Sequence, residues 1–277
     1  MALFNKVAII GVGLIGGSIG LGIKKRKLAN QVIGISRHRK TINLAIAQGA
    51  IDRGFLNIAA ISDPDLIILA MPVNSIIQIG AKISSQVHPD TLVMDTGSTK
   101  KLVVRTLENL LPNFVGAHPL AGSEKQGVIN AQADLFCGSL CVLTPTRKTS
   151  GVALSRIKRL WVELGARVVC LSPARHDKLI SYVSHLPHIL AFSLIRSVPR
   201  NSLYLASSSL RDTTRIAASD KTLWKDILLT NSGNILEALN RFLISLSEVK
   251  SAITQKDTRG LEKILRQASL KRQALRT

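Results

Sequence analysis

The chain has 277 residues, with 37 Lys and Arg against 17 Asp and Glu, for a formal net charge of +20. That length accommodates two domains with sizeable cores, and a hydrophobic content of 46% is that of a globular protein. The cations are dispersed from Lys6 to Arg276 among only 6 Phe, 2 Tyr and 2 Trp, with no helix-turn-helix, zinc or RNP-type signature. Nucleic acid is therefore not the expected partner, and the charge reads as a basic surface that attracts anionic substrates.

Residues 7–10 form a short apolar strand. Gly11, Gly13 and Gly16 follow at G-x-G-x-x-G spacing and open an apolar helix that ends near the cations at 24–27. In a dinucleotide site the first glycine permits the tight turn, the second lets the backbone approach a pyrophosphate, and the third lets the helix lie close to the sheet. A membrane helix with a small-xxx-small face is the rival reading of 7–23. Six glycines in seventeen residues make a poor helix of that kind, at about 1 kcal/mol each. No other apolar run approaches membrane-spanning length and no targeting segment is recognised, so a cytoplasmic protein without a membrane partner is expected.

Further strands are expected at 32–35, 65–70, 91–94, 114–117, 140–143 and 167–170, with helices at about 40–49, 75–84, 100–110 and 151–164. Short continuous apolar strands between helices predict an α/β, doubly wound (Rossmann-like) dinucleotide-binding domain over residues 1–171. Beyond Ser172-Pro173 the β patterning stops. Helical stretches at 174–198, 222–230 and 232–270 predict an all-α second domain over residues 172–277. The three cysteines, Cys137, Cys141 and Cys170, have no companion at zinc spacing, so buried thiols and no metal are expected.

Ligands of such a sheet bind beyond the carboxyl ends of its strands. Gly11, Gly13, Leu14, Ile15 and Gly16, with Met71 and Pro72 at the exit of 65–70, are the expected cofactor contacts. After the strand at 32–35 the chain reads Ser36-Arg37-His38-Arg39-Lys40, with no carboxylate to take a ribose 2′-hydroxyl. A hydroxyl beside cations suits a 2′-phosphate, so NADP is the expected cofactor, held by Ser36 and Arg37.

Three further segments carry polar chemistry. Asp95-Thr-Gly-Ser-Thr-Lys100 and Gly116-Ala-His-Pro-Leu-Ala-Gly-Ser-Glu-Lys-Gln-Gly127 leave strands. His176-Asp177, Ser184-His-Leu-Pro-His188 and Arg211-Asp-Thr-Thr-Arg-Ile216, with Trp224 downstream, lie in the helical half. In this order they resemble the prephenate/arogenate dehydrogenase family of tyrosine biosynthesis nearly end to end. The resemblance implies an enzyme that oxidatively decarboxylates a cyclohexadienol, and a homodimer formed through the helical domain.

It further implies that His118 accepts a hydrogen bond or proton from the ring hydroxyl, with Ser98 orienting it and touching the substrate. Glu124, Ser184, His188, Asp212 and Arg215 would form the substrate pocket, Arg215 gripping a carboxylate and Asp212 joining Glu124 in its ionic network. Histidine at 188 leans the choice toward prephenate over arogenate. Pro187 is expected to kink its helix, and His176 and His185 are read as structural. One departure is the run Ser207-Ser-Ser-Leu210, where family members often carry glycine before Arg-Asp. The alternatives are another two-domain NADP dehydrogenase acting on a β-hydroxy acid, for which no lysine-centred motif stands out, or a non-enzymatic NADP sensor.

Overall fold

The structure is a computed structural model and describes residues 2–122 and 125–275. Strands β1 (Phe4–Ile10), β2 (Ala29–Ile35), β3 (Arg53–Phe55), β4 (Leu66–Leu69), β5 (Leu92–Asp95) and β6 (Phe114–Val115) form one sheet in the order β3-β2-β1-β4-β5-β6. Every pairing in it is parallel. The order reverses between β1 and β4, which is the Rossmann-like arrangement.

Side-chain alternation along β1 shows why both faces are covered. Val7 and Ile9 join a core with Ile19 and Ile23 of helix α1 (Leu14–Lys25), Ile42 of α2 (Arg39–Ala47) and, further along the chain, Trp161. Ala8 and Ile10 join a second core with Ile76 of α3 (Val73–Ile83) and Val103 and Leu107 of α4 (Lys101–Leu107). Each buried Ile, Leu or Val contributes about 1.5–3 kcal/mol, so this sheet is a stiff base for the loops at its carboxyl edge.

The single strand expected at 114–117 is two strands. After β6 the chain passes Gly116 and enters a separate sheet, β7 (Ala117–Leu120), β8 (Leu140–Leu143) and β9 (Arg167–Cys170), with α5 (Gly151–Glu163) between the last two. There β7 runs antiparallel to β8, while β8 and β9 are parallel. Trp161 belongs to α5.

Helix α6 (Pro173–Ile180) begins with Ser172 Oγ accepting from the Arg175 amide at 3.3 Å and with Pro173 in its first turn. A π turn over Ser181–His185 follows, and α7 (Leu186–Ser197) completes the run. Pro187 lacks an amide hydrogen, and the wide turn just before it accommodates that loss. Against the sequence expectation, this Pro173–Ser197 helix is long and apolar enough to cross a membrane by length and composition. On one side it carries the buried polar residues His176, Asp177, Ser181 and His185, which pack against the rest of this unit. Helices α8 (Ser208–Thr214) and α9 (Lys221–Thr230) follow. Asp226 of α9 accepts from Asn74 Nδ2 of α3 at 2.9 Å, and Thr230 bonds Thr99 at 2.9 Å, so α9 is tied to the carboxyl edge of the sheet.

Residues 1–231 pack as one compact unit, which includes α6 to α9 as well as both sheets. Residues 232–277 form a second. Its described part is two helices, α10 (Ser232–Thr254) and α11 (Thr258–Gln273), where one helical stretch was expected. Lys256, with φ of 53°, ends α10, and Asp257 caps α11 by accepting from the Gly260 amide at 2.9 Å.

Candidate active site

The turn from β1 into α1 requires its glycines for separate reasons. Gly11 has φ of +96°, and a Cβ there would collide with the Ala70 carbonyl and lie 2.6 Å from Met71 Cγ. At Gly16 a Cβ would strike the Gly11 carbonyl oxygen, which is the close helix–sheet contact. Around Gly13 there is open space within 4 Å, and no side chain caps α1 there. The first amides of α1 thus face a cradle with the positive end of the helix dipole behind it. Leu14 and Ile15 are half-buried in the first turn, Met71 lies over Gly11, and Pro72 caps α3. These features fit a dinucleotide pyrophosphate.

At the end of β2, Ser36 is held by its amide to the Phe55 carbonyl at 3.2 Å and its Oγ accepts from the His38 amide. Arg37 is exposed beside it. The carboxylate nearest in sequence, Asp52, serves the other end of the strand, accepting from the Val32 amide at 2.7 Å and pairing with Lys24.

His118 lies on β7, buried to 8% exposure, next to the carboxyl end of β5. Asp95 at that end is fully buried, accepts from the Ala117 amide at 3.3 Å and pairs with buried Lys100, whose Nζ also donates to the Ala117 carbonyl at 2.9 Å. Both backbone groups flanking His118 on its N-terminal side are therefore pinned. The ring itself meets His176: Nδ1 of His118 lies 2.8 Å from Nε2 of His176, and Nδ1 of His176 lies 2.8 Å from Asp177 Oδ1. Asp177 also accepts from the Lys100 and Lys101 amides at 2.7 and 2.9 Å, so it caps α4 from across the fold.

Burial pushes the His118 imidazole well below its ordinary range, and His176, Lys100 and His185 add in the same direction. His176 is lowered by burial, with the Asp177 bond opposing. Burial raises Asp95 against the pull of Lys100. The neutral imidazole at 118 is thus the favoured form, as a group that receives a proton requires.

The orienting bond to His118 comes from His176, not from Ser98 as expected; Ser98 is half-buried in the loop after β5. Reading His176 as structural overlooked this contact.

In the helical part, the ring of His188 stacks on Trp224 with centroids 3.7 Å apart and 24° between planes, and its Nδ1 donates to the Ser184 carbonyl at 3.0 Å. Phe192 closes against Trp224 edge-on. Ser184 is half-buried one turn before His188. Arg215 is exposed but close enough to His188 to depress its proton affinity, a smaller effect than burial. Asp212 is exposed on α8, three residues before Arg215. Glu124 lies outside the described residues.

His185 is buried and receives Asn231 Nδ2 on its Nδ1 at 3.2 Å, leaving Nε2 without a hydrogen bond among the described residues. Its proton affinity is pushed down to about 4 by burial. No group of three or more His, Cys, Asp or Glu that could hold a metal occurs among the described residues.

Residues 19–170 match the prephenate dehydrogenase nucleotide-binding domain, and residues 172–267 match the prephenate dehydrogenase dimerization domain. Prephenate dehydrogenase of Bacillus subtilis is 35% identical over 93% of this chain and 72% of its own length. Cyclohexadienyl dehydrogenase of Zymomonas mobilis is 33% identical over the whole chain and 98% of its own. The solved structure of Aquifex aeolicus prephenate dehydrogenase, in complex with hydroxyphenyl propionate and NAD+, is 36% identical, with a TM-score of 0.92 over 98% of each chain. Two matched domains in series, and relatives above 30% identity over most of their length, establish that the chain belongs to the prephenate dehydrogenase family of oxidoreductases.

Proposed function

We propose that this chain oxidatively decarboxylates prephenate, with arogenate as the competing substrate, and uses NADP as hydride acceptor. The observation that carries the reading is His118: a buried, neutral imidazole at the carboxyl edge of the dinucleotide sheet, its Nδ1 engaged and its Nε2 without a hydrogen bond among the described residues. When bound, the nicotinamide supplies a two-electron oxidant. His118 accepts the proton of the ring hydroxyl as hydride leaves the same carbon, and the ring carboxylate departs as carbon dioxide. Aromatisation drives the step, so the chain's task is orientation and a base of suitable proton affinity.

Ser98 is assigned to the ring hydroxyl. Ser184, His188 and Arg215 are assigned to the substrate carboxylates, the guanidinium offering a bidentate grip, with Asp212 and Glu124 in the same ionic network. The cradle at Gly11, Gly13, Leu14, Ile15 and Gly16, closed by Met71 and Pro72, is assigned to the pyrophosphate and nicotinamide side. Ser36 and Arg37, with no carboxylate from Ile35 to Lys40, support a 2′-phosphate and hence NADP. We keep residues 1–171 and 172–277 as the two functional domains, place the enzyme in the cytoplasm, and assign a homodimer to the second domain.

A four-way assay of reduced nicotinamide formation, with prephenate or arogenate and NADP or NAD, tests the reading. NADP with prephenate is expected to give the highest kcat/KM; absence of turnover in every combination sinks the enzyme, and efficient NAD use with poor NADP use sinks only the Ser36/Arg37 assignment. His118→Asn is expected to lower kcat by about a hundredfold to ten-thousandfold with cofactor affinity kept. Full activity in that variant excludes the role given to His118.

A further inference from the structure

We infer that Asp177 and His176 are positioning residues that fix the tautomer of His118, and that the helical segment thereby sets the proton-accepting atom of the active site. This deepens the proposed reaction and rests on His118 being its base. Asp177 accepts from two backbone amides, those of Lys100 and Lys101 at the start of α4, at 2.7 and 2.9 Å. An amide can only donate, so these bonds hold the group as an acceptor with its carboxylate fixed in place. Oδ1 lies 2.8 Å from Nδ1 of His176, which must therefore carry a hydrogen.

In a neutral imidazole only one nitrogen is protonated. Nε2 of His176 is then a lone pair, and it lies 2.8 Å from Nδ1 of His118. The hydrogen in that bond belongs to His118, so Nδ1 of His118 is protonated and Nε2 is the free lone pair. Burial of both rings, which disfavours imidazolium, keeps the chain of tautomers intact. Asp177 sits on α6 and His118 on β7, 59 residues earlier in the chain. The choice of base atom thus depends on a contact between two parts of the fold, and the Lys100/Lys101 amides are the fixed point of the relay.

The test uses the full chain labelled with 15N-histidine. Long-range proton–nitrogen spectra of the free protein, assigned with His118→Asn and His176→Asn, are expected to show His118 protonated on Nδ1. Protonation on Nε2 would overturn the inference without touching the question of turnover. Two replacements at position 176 separate relay from packing. His176→Gln places an acceptor where Nε2 was, whereas His176→Asn keeps only the donor toward Asp177. The glutamine variant is expected to retain the His118 tautomer and to lose at least tenfold less in kcat than the asparagine variant, with KM within about threefold in both.

Equal losses in the two variants would overturn the relay. Asp177→Asn is expected to lower kcat by a hundredfold or more and to shift His118 toward Nε2 protonation. Because Asp177 also caps α4, that variant is read together with its circular dichroism, and the two position-176 variants decide the matter if it is unfolded. Loss of activity in His118→Asn with a confirmed Nδ1 tautomer keeps the two readings apart.

Discussion

Nδ1 of His188 is committed to the Ser184 carbonyl at 3.0 Å, so the neutral ring offers only an acceptor at Nε2. A carboxylate needs a donor there, and His188 can supply one only as imidazolium. Burial lowers its proton affinity, Arg215 adds to the effect, and the Ser184 bond opposes both. Binding of an anionic substrate should therefore draw a proton onto His188 against the opposing charge of Arg215. The base proposed at His118 needs the opposite state, the neutral ring, and burial holds its titration well below the ordinary value of 6.5.

These signs predict a bell-shaped kcat/KM. Its acid limb falls below pH 6.5 as His118 takes up a proton, and its other limb declines with rising pH as His188 gives one up. Calorimetry of prephenate binding in buffers of different ionisation enthalpy is expected to show net proton uptake near pH 7. Absence of uptake would remove His188 from the carboxylate site. An acid limb that persists in a His118→Asn variant would assign it to another group.

Among the elements, the β1–α1 turn separates folding from binding. Gly11→Ala imposes a strained φ of +96° and drives a methyl into the Ala70 carbonyl and Met71, and is expected to cost about 1–3 kcal/mol. Gly13 has φ of −94° and open space around its missing Cβ, so Gly13→Ala should leave thermal stability within a degree or two. Its methyl would instead occupy the cradle and weaken dinucleotide binding by about tenfold or more, as read by fluorescence titration. A stability loss at Gly13 equal to that at Gly11 would show that the cradle is packed rather than open.

The same turn shows how far a chain can be read locally. Strands at β1, β2, β4, β5, β8 and β9 were legible because a parallel sheet covered on both faces demands continuous apolar runs. β3 was missed: Arg53-Gly-Phe55 has three residues and no such run, and it forms only as the edge partner of β2. The division of 114–117 at Gly116 was invisible for a similar reason, since the strand changes sheets according to partners at β5 and β8. At the site, His118, His188 and Arg215 could be named from motifs. What joins His118 to His176 and Asp177 to the α4 amides is contact across 58 and 77 residues of chain. The adjacent His176-Asp177 pair was the available signal, but spacing gave it no direction.

For the molecule as a whole, four buried or half-buried histidines, His118, His176, His185 and His188, have proton affinities lowered in the fold. In the unfolded chain each titrates near 6.5. Below that pH the unfolded state binds more protons than the native one, so their contribution is complete above about pH 6.5 and declines as the pH falls. Asp95, raised by burial, works in the opposite sense at lower pH. Chemical denaturation is expected to give a lower midpoint at pH 5.5 than at pH 7.5, and an unchanged midpoint would mean that the histidines titrate alike in both states.

The assembly assigned to the second domain can be tested on α10 alone. Asn240, Leu243, Ile244, Ser247, Glu248 and Ser251 recur at three- and four-residue spacing and share one face, with Leu243 and Ile244 exposed. Two large apolar side chains left open to water within a polar face suit a partner, and the dimerization-domain match over 172–267 makes a second copy the expected one. In a twofold interface every residue is used twice, so a charge introduced near the axis is buried twice or faces its own copy. Ile244 is 63% exposed in the single chain, and Ile244→Glu removes little internal packing. Sedimentation equilibrium is expected to give a dimer for the parent chain and a dissociation constant at least a hundredfold weaker for the variant, with unchanged circular dichroism. A variant that remains dimeric at the parent affinity would move the interface off this face, and a monomeric parent chain would refute the dimer itself.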